Sequence, residues 1–239
     1  MKKAIIIAAG EFTSQLLPQL SPQLLSQVEG QIDGQSPLLI AADGGYNHCR
    51  RLGITPDLLV GDFDSIGDCG VPVNSGNIEV MRHPPEKDAS DLELAVDEAL
   101  RRGCRHIRIY GALGGRLDHT IASIAVLVSL SRKGATGWLV GKNESITAVT
   151  DGTLRLNQSQ AQSQAQDCAD YCATAQRGYV SIFPAGEKAA GVSLRGLKYT
   201  LDNAELTCHS TLGLSNEWSG GEAEIAVKDG TLIVVISNA

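Results

Sequence analysis

The chain has 239 residues, 43% of them hydrophobic and 20% charged, which is enough to bury one large core or two modest ones. Its 20 basic residues against 27 acidic ones give a net charge of -7, with no Lys/Arg run longer than Lys2-Lys3 or Arg50-Arg51. That balance excludes a nucleic-acid partner held by phosphate neutralisation, and no segment has the apolar length of a membrane-crossing helix.

The opening MKKAIIIAAGEF imitates a secretory signal, but its apolar run from Ala4 to Ala9 is too short for one and reads as a first buried strand. A cytoplasmic protein is therefore expected. Strand-like and helical runs then alternate: SPQLLSQVEG, PLLIAADGG, YNHCRRLG, DLLVGDFDS, NIEVMRH, ASDLELAVDEALRRG, HIRIYGALGG, LDHTIASIAVLVSLSRKG and TGWLVG. Strands apolar on both faces and separated by helices predict an α/β domain with a mainly parallel sheet, over residues 1–141. In ASDLELAVDEAL, Ser90 suits the N-cap, and Asp91 and Glu93 suit the first turn.

From residue 142 the texture changes. ESITAVTDG, GYVSIFPAG, GVSLRG, KYTLDN, AELTCHS, EAEIAVKDG and TLIVVIS are short alternating runs with recurrent turn signals, which predict an all-β sandwich over residues 142–239. The polar tract Asn157 to Gln166 is expected as a mobile surface loop, with a short turn around Cys168 to Ala175. The six cysteines include one close pair, Cys168 and Cys172, which no second Cys/His pair completes into a zinc site, so free thiols are expected.

In a parallel sheet, ligands collect at the carboxyl ends of the strands. The apolar run LLV gives way there to VGDFDSI, in which an extended chain would place Asp62 and Asp64 on one face and Phe63 on the other. Further acids fall at or after neighbouring strand ends: Asp43 in AADGG, Asp88 and Asp91 in KDASD, and Asp118 in GRLDH. Carboxylates drawn to one rim repel one another unless a cation joins them, and a hard ion such as Mg2+ takes oxygen ligands together with a substrate phosphate. The turn GALGGR, Gly111 to Arg116, precedes a helix and offers backbone N–H groups and a guanidinium to an anion, yet it is neither a Walker A loop nor a dinucleotide fingerprint. Taken singly, Asp43 also suits a turn and Asp91 a helix start. The histidines lack metal-like spacing.

ADGGYNHCRRLGITPDLLVGDFDSI, EKDASDLELAVDEA, GALGGRLDH and GLKYTLDNAELTCHSTLGLSNEW, in that order, resemble the thiamine pyrophosphokinase (thiamine diphosphokinase) family. The resemblance implies transfer of pyrophosphate from ATP to the hydroxyethyl group of thiamine, giving thiamine diphosphate and AMP. It also implies an N-terminal α/β domain, a C-terminal β-sandwich and a homodimer with thiamine near the interface. It assigns Asp62, Asp64 and Asp91 to Mg2+ and catalysis, and Asp118 to catalysis. Asp43, Gly44, Gly114, Gly115 and Arg116 are assigned to the nucleotide, and Ser215, Asn216 and Trp218 to thiamine, where an indole can stack on a cationic ring. The chain departs from the family in Ser90-Asp91 for Thr-Asp and in Tyr199-Thr200-Leu201 for Tyr-Pro-Leu. Two rivals use the same rim. One is another Mg-dependent phosphoryl or nucleotidyl transferase; the other is a non-catalytic nucleotide- or thiamine-binding sensor, which has less need of a full acidic set.

Overall fold

The computed structural model describes residues 2–12, 36–64, 66, 78–86, 88–157 and 178–238. Four expected features lie outside them: the helix in SPQLLSQVEG, the tract 157–166 beyond Asn157, the turn near Cys168, and Ser65 of VGDFDSI. The chain divides into two compact units, Met1–Val126 with Leu139–Lys142, and Leu127–Trp138 with Asn143–Ala239.

In the first unit, the strands β1 (Lys2–Ile7), β2 (Leu38–Ala42), β3 (Leu58–Gly61), β4 (Glu79–Arg82) and β5 (Cys104–Tyr110) lie in the order β5-β1-β2-β3-β4. Every pairing among them is parallel, with Ile6 opposite both Ile40 and Ile109, and Ile40 opposite Leu58. Consecutive residues of β1, β2 and β3 are buried, so these strands are covered on both faces, as their unbroken apolar runs require. Helix α1 (Gly45–Leu52) follows β2, α2 (Asp91–Arg101) precedes β5, and α3 (Leu117–Arg132) starts after it. Leu139 and Val140 of β6 (Thr136–Val140) also belong to this unit.

Helix α2 forms as its sequence dictates. Ser90 Oγ accepts from the Glu93 N–H at 3.2 Å, and Leu92, Ala95, Val96 and Ala99 make the buried stripe. Glu98 is also buried, and it is satisfied by forks from Arg101 (2.6 Å from both Nε and Nη2) and by Arg102 Nε at 2.6 Å, while Arg102 also reaches Glu79. These paired hydrogen bonds hold the Glu98 carboxyl down to about 2 against the cost of its burial.

The second unit is antiparallel. Strands β7 (Glu144–Thr150), β9 (Gly178–Pro184), β12 (Asn216–Glu217) and β14 (Thr231–Asn238) run in the order β12-β9-β14-β7. A separate sheet holds β8 (Thr153–Asn157), β10 (Lys188–Arg195), β11 (Leu201–Thr207) and β13 (Glu222–Ala226) in the order β11-β10-β13-β8. Period-2 burial picks out Val180 and Ile182 on β9, Leu232, Val234 and Ile236 on β14, and Val192 and Leu194 on β10, the apolar faces of a sandwich. The runs KYTLDN and AELTCHS share the single strand β11, and TLRLN after the DG turn adds β8. Cys49, Cys104 and Cys208 are free thiols. No helix among the described residues is long and apolar enough to cross a membrane.

Candidate active site

The strand order sets β2 beside β3, with Ala42 opposite Val60, so the residues that follow the two strands emerge together at the carboxyl edge. The pairing runs one step further, through the Asp43 N–H to the Val60 carbonyl at 2.7 Å. Asp43 then turns the chain with φ +43°, and its carbonyl accepts from the Tyr46 N–H at 3.0 Å as α1 begins. Gly44, expected at the nucleotide, is the N-cap of that helix and offers no side-chain cap.

Extended geometry does not continue through VGDFDSI. Strand β3 ends at Gly61, and Phe63 takes φ +72°, so a turn rather than strand alternation brings the two acids together. The Asp64 N–H donates to Asp62 Oδ1 at 3.2 Å across that turn. Phe63 is buried, with the Arg82 guanidinium 5.0 Å from its ring centroid, and this anchors the apex between the two acids.

Oxygen atoms of Asp43, Asp62 and Asp64 all lie within 4.8 Å of one another. Asp43 is 7% exposed, and its Oδ1 is buried without a hydrogen-bond partner. A carboxylate oxygen deprived of both water and donors is costly, and two further carboxylates beside it add repulsion. An oxygen-seeking cation relieves both, so this donor set fits a hard divalent ion. Asp43, expected as a nucleotide residue or a turn former, thus stands inside the carboxylate group. Asp91 is not among its members and occupies the first position of α2.

The glycine-rich turn follows β5. Gly114 and Gly115 both have positive φ, +83° and +66°, a conformation that side chains resist. The space that a Cβ on Gly114 would need holds the Glu11 carboxylate, whose Oε2 is 2.5 Å from that point. Arg116 leaves the turn and grips Asp118 with two hydrogen bonds, Nε to Oδ1 at 3.1 Å and Nη2 to Oδ2 at 2.5 Å. This fork holds the exposed Asp118 carboxyl below the usual carboxylate range. Phosphate offers the same planar acceptor edge, so an incoming phosphate competes with Asp118 for Arg116.

The residues expected at thiamine lie in the second unit. Ser215 takes φ +53°, and its N–H donates to Ser181 Oγ at 3.0 Å. Asn216 is buried, and its amide is committed to the main chain: Oδ1 accepts from the Tyr199 N–H at 2.9 Å, and Nδ2 donates to the Tyr199 carbonyl at 2.7 Å. Asn216 therefore clamps the segment that carries the exposed Tyr199 ring. Trp218 bridges to Leu197, and its Nε1–H is buried without a partner.

These features define a protein of two compact units, a carboxylate-bearing α/β unit and an antiparallel β-sandwich. The family model described as thiamin pyrophosphokinase, catalytic domain, matches residues 31–139, and that described as thiamin pyrophosphokinase, vitamin B1 binding domain, matches residues 170–232. Thiamine pyrophosphokinase of Bacillus subtilis (strain 168) is 29% identical over 201 residues, covering 84% of this chain and 87% of that protein. The crystal structure of thiamine pyrophosphokinase from Bacillus subtilis superposes with a TM-score of 0.78 at 27% identity, and each chain is covered in full. Thiamin pyrophosphokinase from Geobacillus thermodenitrificans gives 0.76 at 26% identity, covering all of this chain and 98% of the other. The chain belongs to the thiamine pyrophosphokinase family.

Proposed function

We propose that the protein transfers the pyrophosphoryl group of ATP to the hydroxyethyl oxygen of thiamine, giving thiamine diphosphate and AMP. The observation that carries the chemistry is the buried, unpartnered Asp43 oxygen within 4.8 Å of Asp62 and Asp64 at the sheet's carboxyl edge. Asp62, Asp64 and Asp43 would hold Mg2+, and Asp91 joins them by family resemblance. When bound, the ion neutralises phosphate oxygens and makes the β-phosphorus easier to attack.

The remaining work falls to positioning and charge, as is general for phosphoryl transfer. Backbone N–H groups of the Gly114–Gly115 turn face the polyphosphate, and Arg116 exchanges its fork from Asp118 to a phosphate oxygen. Asp118, so released, accepts or orients the thiamine hydroxyl proton. The hydroxyethyl oxygen bonds to the β-phosphorus as the bond from that phosphorus to the bridging oxygen breaks, and AMP leaves with the bridging oxygen. Trp218 stacks on a thiamine ring, with Ser215 beside it, and Asn216 acts through the Tyr199 segment.

The active species is a homodimer in the cytoplasm, with thiamine bound near the interface. Mixing an Asp62 variant with a Trp218 variant then restores part of the activity in verified hybrid dimers. The deciding experiment incubates the purified protein with ATP, Mg2+ and thiamine and resolves the products. AMP with thiamine diphosphate is expected; ADP or free pyrophosphate points to a different transferase, and no turnover with any divalent metal sinks the enzyme reading.

A further inference from the structure

His48 lies on α1, one turn beyond Asp43 and Gly44, and is buried. Its two ring nitrogens are both spent. Nε2 is 3.0 Å from the Gly10 carbonyl, and Nδ1 meets Nη2 of Arg51. A carbonyl only accepts and a guanidinium only donates, so the ring is the neutral tautomer with its proton on Nε2. Burial, followed by the Arg51 charge among the lowering effects, holds the imidazole below its ordinary range and keeps it neutral. The Phe12 ring stacks on His48, with centroids 5.0 Å apart and planes 28° from parallel.

The partner of His48 is the rim loop that leaves β1. Gly10 is gripped at both ends of its own peptide units: its N–H donates to the Gly111 carbonyl at 2.7 Å, and its carbonyl accepts from His48. The contact with Gly111 is so close that a Cβ on Gly10 would stand 2.5 Å from that carbonyl oxygen. The next residue, Glu11, fills the space beside Gly114. One imidazole therefore ties the helix that starts at the carboxylate group to the loop that packs on the glycine-rich turn.

We propose that His48 is a positioning residue of the nucleotide subsite, holding the Gly10–Phe12 loop so that Glu11 braces the Gly111–Gly115 turn in its anion-accepting shape. Without that hydrogen bond the Gly10 carbonyl swings free, Glu11 leaves Gly114, and the turn loses the brace opposite its positive-φ residues. The inference rests on the reading of this rim as the ATP site, and it separates ATP from thiamine, because the partners of His48, namely Gly10, Phe12 and Arg51, all belong to the first unit.

The test measures Mg-ATP binding by titration calorimetry without thiamine, and KM for ATP and for thiamine in the full reaction. His48→Ala is expected to raise the ATP dissociation constant and KM about tenfold and to leave the thiamine KM within about twofold, the scale of a displaced positioning group. His48→Gln, whose side-chain amide still donates to Gly10, is expected to recover most of that loss. Unchanged ATP binding in folded His48→Ala, or equal rises in both KM values, overturns the proposal. Should His48→Ala fail to fold, His48→Leu decides. It fills the place of the ring without a donor to Gly10 and is expected to raise the ATP KM alone, and no selective rise overturns the proposal equally. Wild-type protein that binds Mg-ATP but makes no AMP refutes the proposed reaction while leaving the binding test of His48 intact.

Discussion

Replacing Asp43 by Asn probes the carboxylate group most sharply, because it has opposite effects with and without a cation. Asn keeps the size of the side chain and is the residue that best tolerates the φ of +43° found here, after glycine. The substitution removes one charge from a buried position whose neighbours Asp62 and Asp64 have oxygens within 4.8 Å. For the Asp43–Asp62 pair at that distance, Coulomb repulsion is about 1 kcal/mol in a water-like medium and about 3 kcal/mol at an effective dielectric near 20. Solvent reaching Asp62 pulls the value toward the lower end, so relief of roughly 1–2 kcal/mol is expected in EDTA, a rise in Tm of about 3–6 °C for a chain of this size. With Mg2+ the sign reverses. A cation at a hundred times its dissociation constant stabilises the wild type by about 2.7 kcal/mol, and loss of a ligand oxygen removes most of that gain. Thermal melts of both proteins in EDTA and across a Mg2+ series, with AMP formation followed in parallel, give the complete comparison. A variant that melts lower in EDTA and keeps the full Mg2+ response would show that the three carboxylates do not share an ion.

Three other substitutions test separate parts of the molecule. Glu98→Gln should cost roughly 2 kcal/mol in urea unfolding at neutral pH, since a buried acceptor of the Arg101 and Arg102 forks loses its charge. Because the folded-state carboxyl is lowered to about 2, this contribution is complete above the ordinary glutamate range and fades as pH falls toward 2, so the gap between variant and wild type should close over that window. Asp118→Asn should leave the urea midpoint unchanged, as an exposed pair permits, and lower turnover about a hundredfold or more. Intact turnover with an unchanged Mg2+ requirement would remove Asp118 from the proton transfer. Asn216→Ala strips the Tyr199 main chain of two hydrogen bonds and should cost about 1–3 kcal/mol while raising KM for thiamine more than for ATP.

What the sequence discloses and what it hides divide along one physical line. The runs of β1, β2 and β3 announce themselves because strands covered on both faces tolerate little but apolar residues, and α2 is marked by its cap and stripe. VGDFDSI is legible as a charged end to a buried strand. Its geometry is not, because the positive φ of Phe63 is set by the turn and by burial of its ring, neither of which alternation reveals. Asp43 closes an apolar run much as Asp62 does one residue beyond Gly61, but its membership of the carboxylate group follows from β2 lying beside β3, and strand order is not written in either segment.

The residues least legible are those whose partners lie far away in the chain. The amide of Asn216 in SNEW closes on a main chain 17 residues earlier, and His48, with no metal-like spacing, reaches a carbonyl 38 residues before it. Both side chains hydrogen-bond to loop main chain. That pattern follows from the site itself: carboxylates and a guanidinium sufficient for phosphate chemistry stand on turns that leave the sheet, and turns have few hydrogen bonds of their own. Polar side chains rooted in an adjacent helix or strand supply the missing restraint. Their effect should therefore appear in KM for the substrate whose loop they hold, His48 for ATP and Asn216 for thiamine, rather than equally in both.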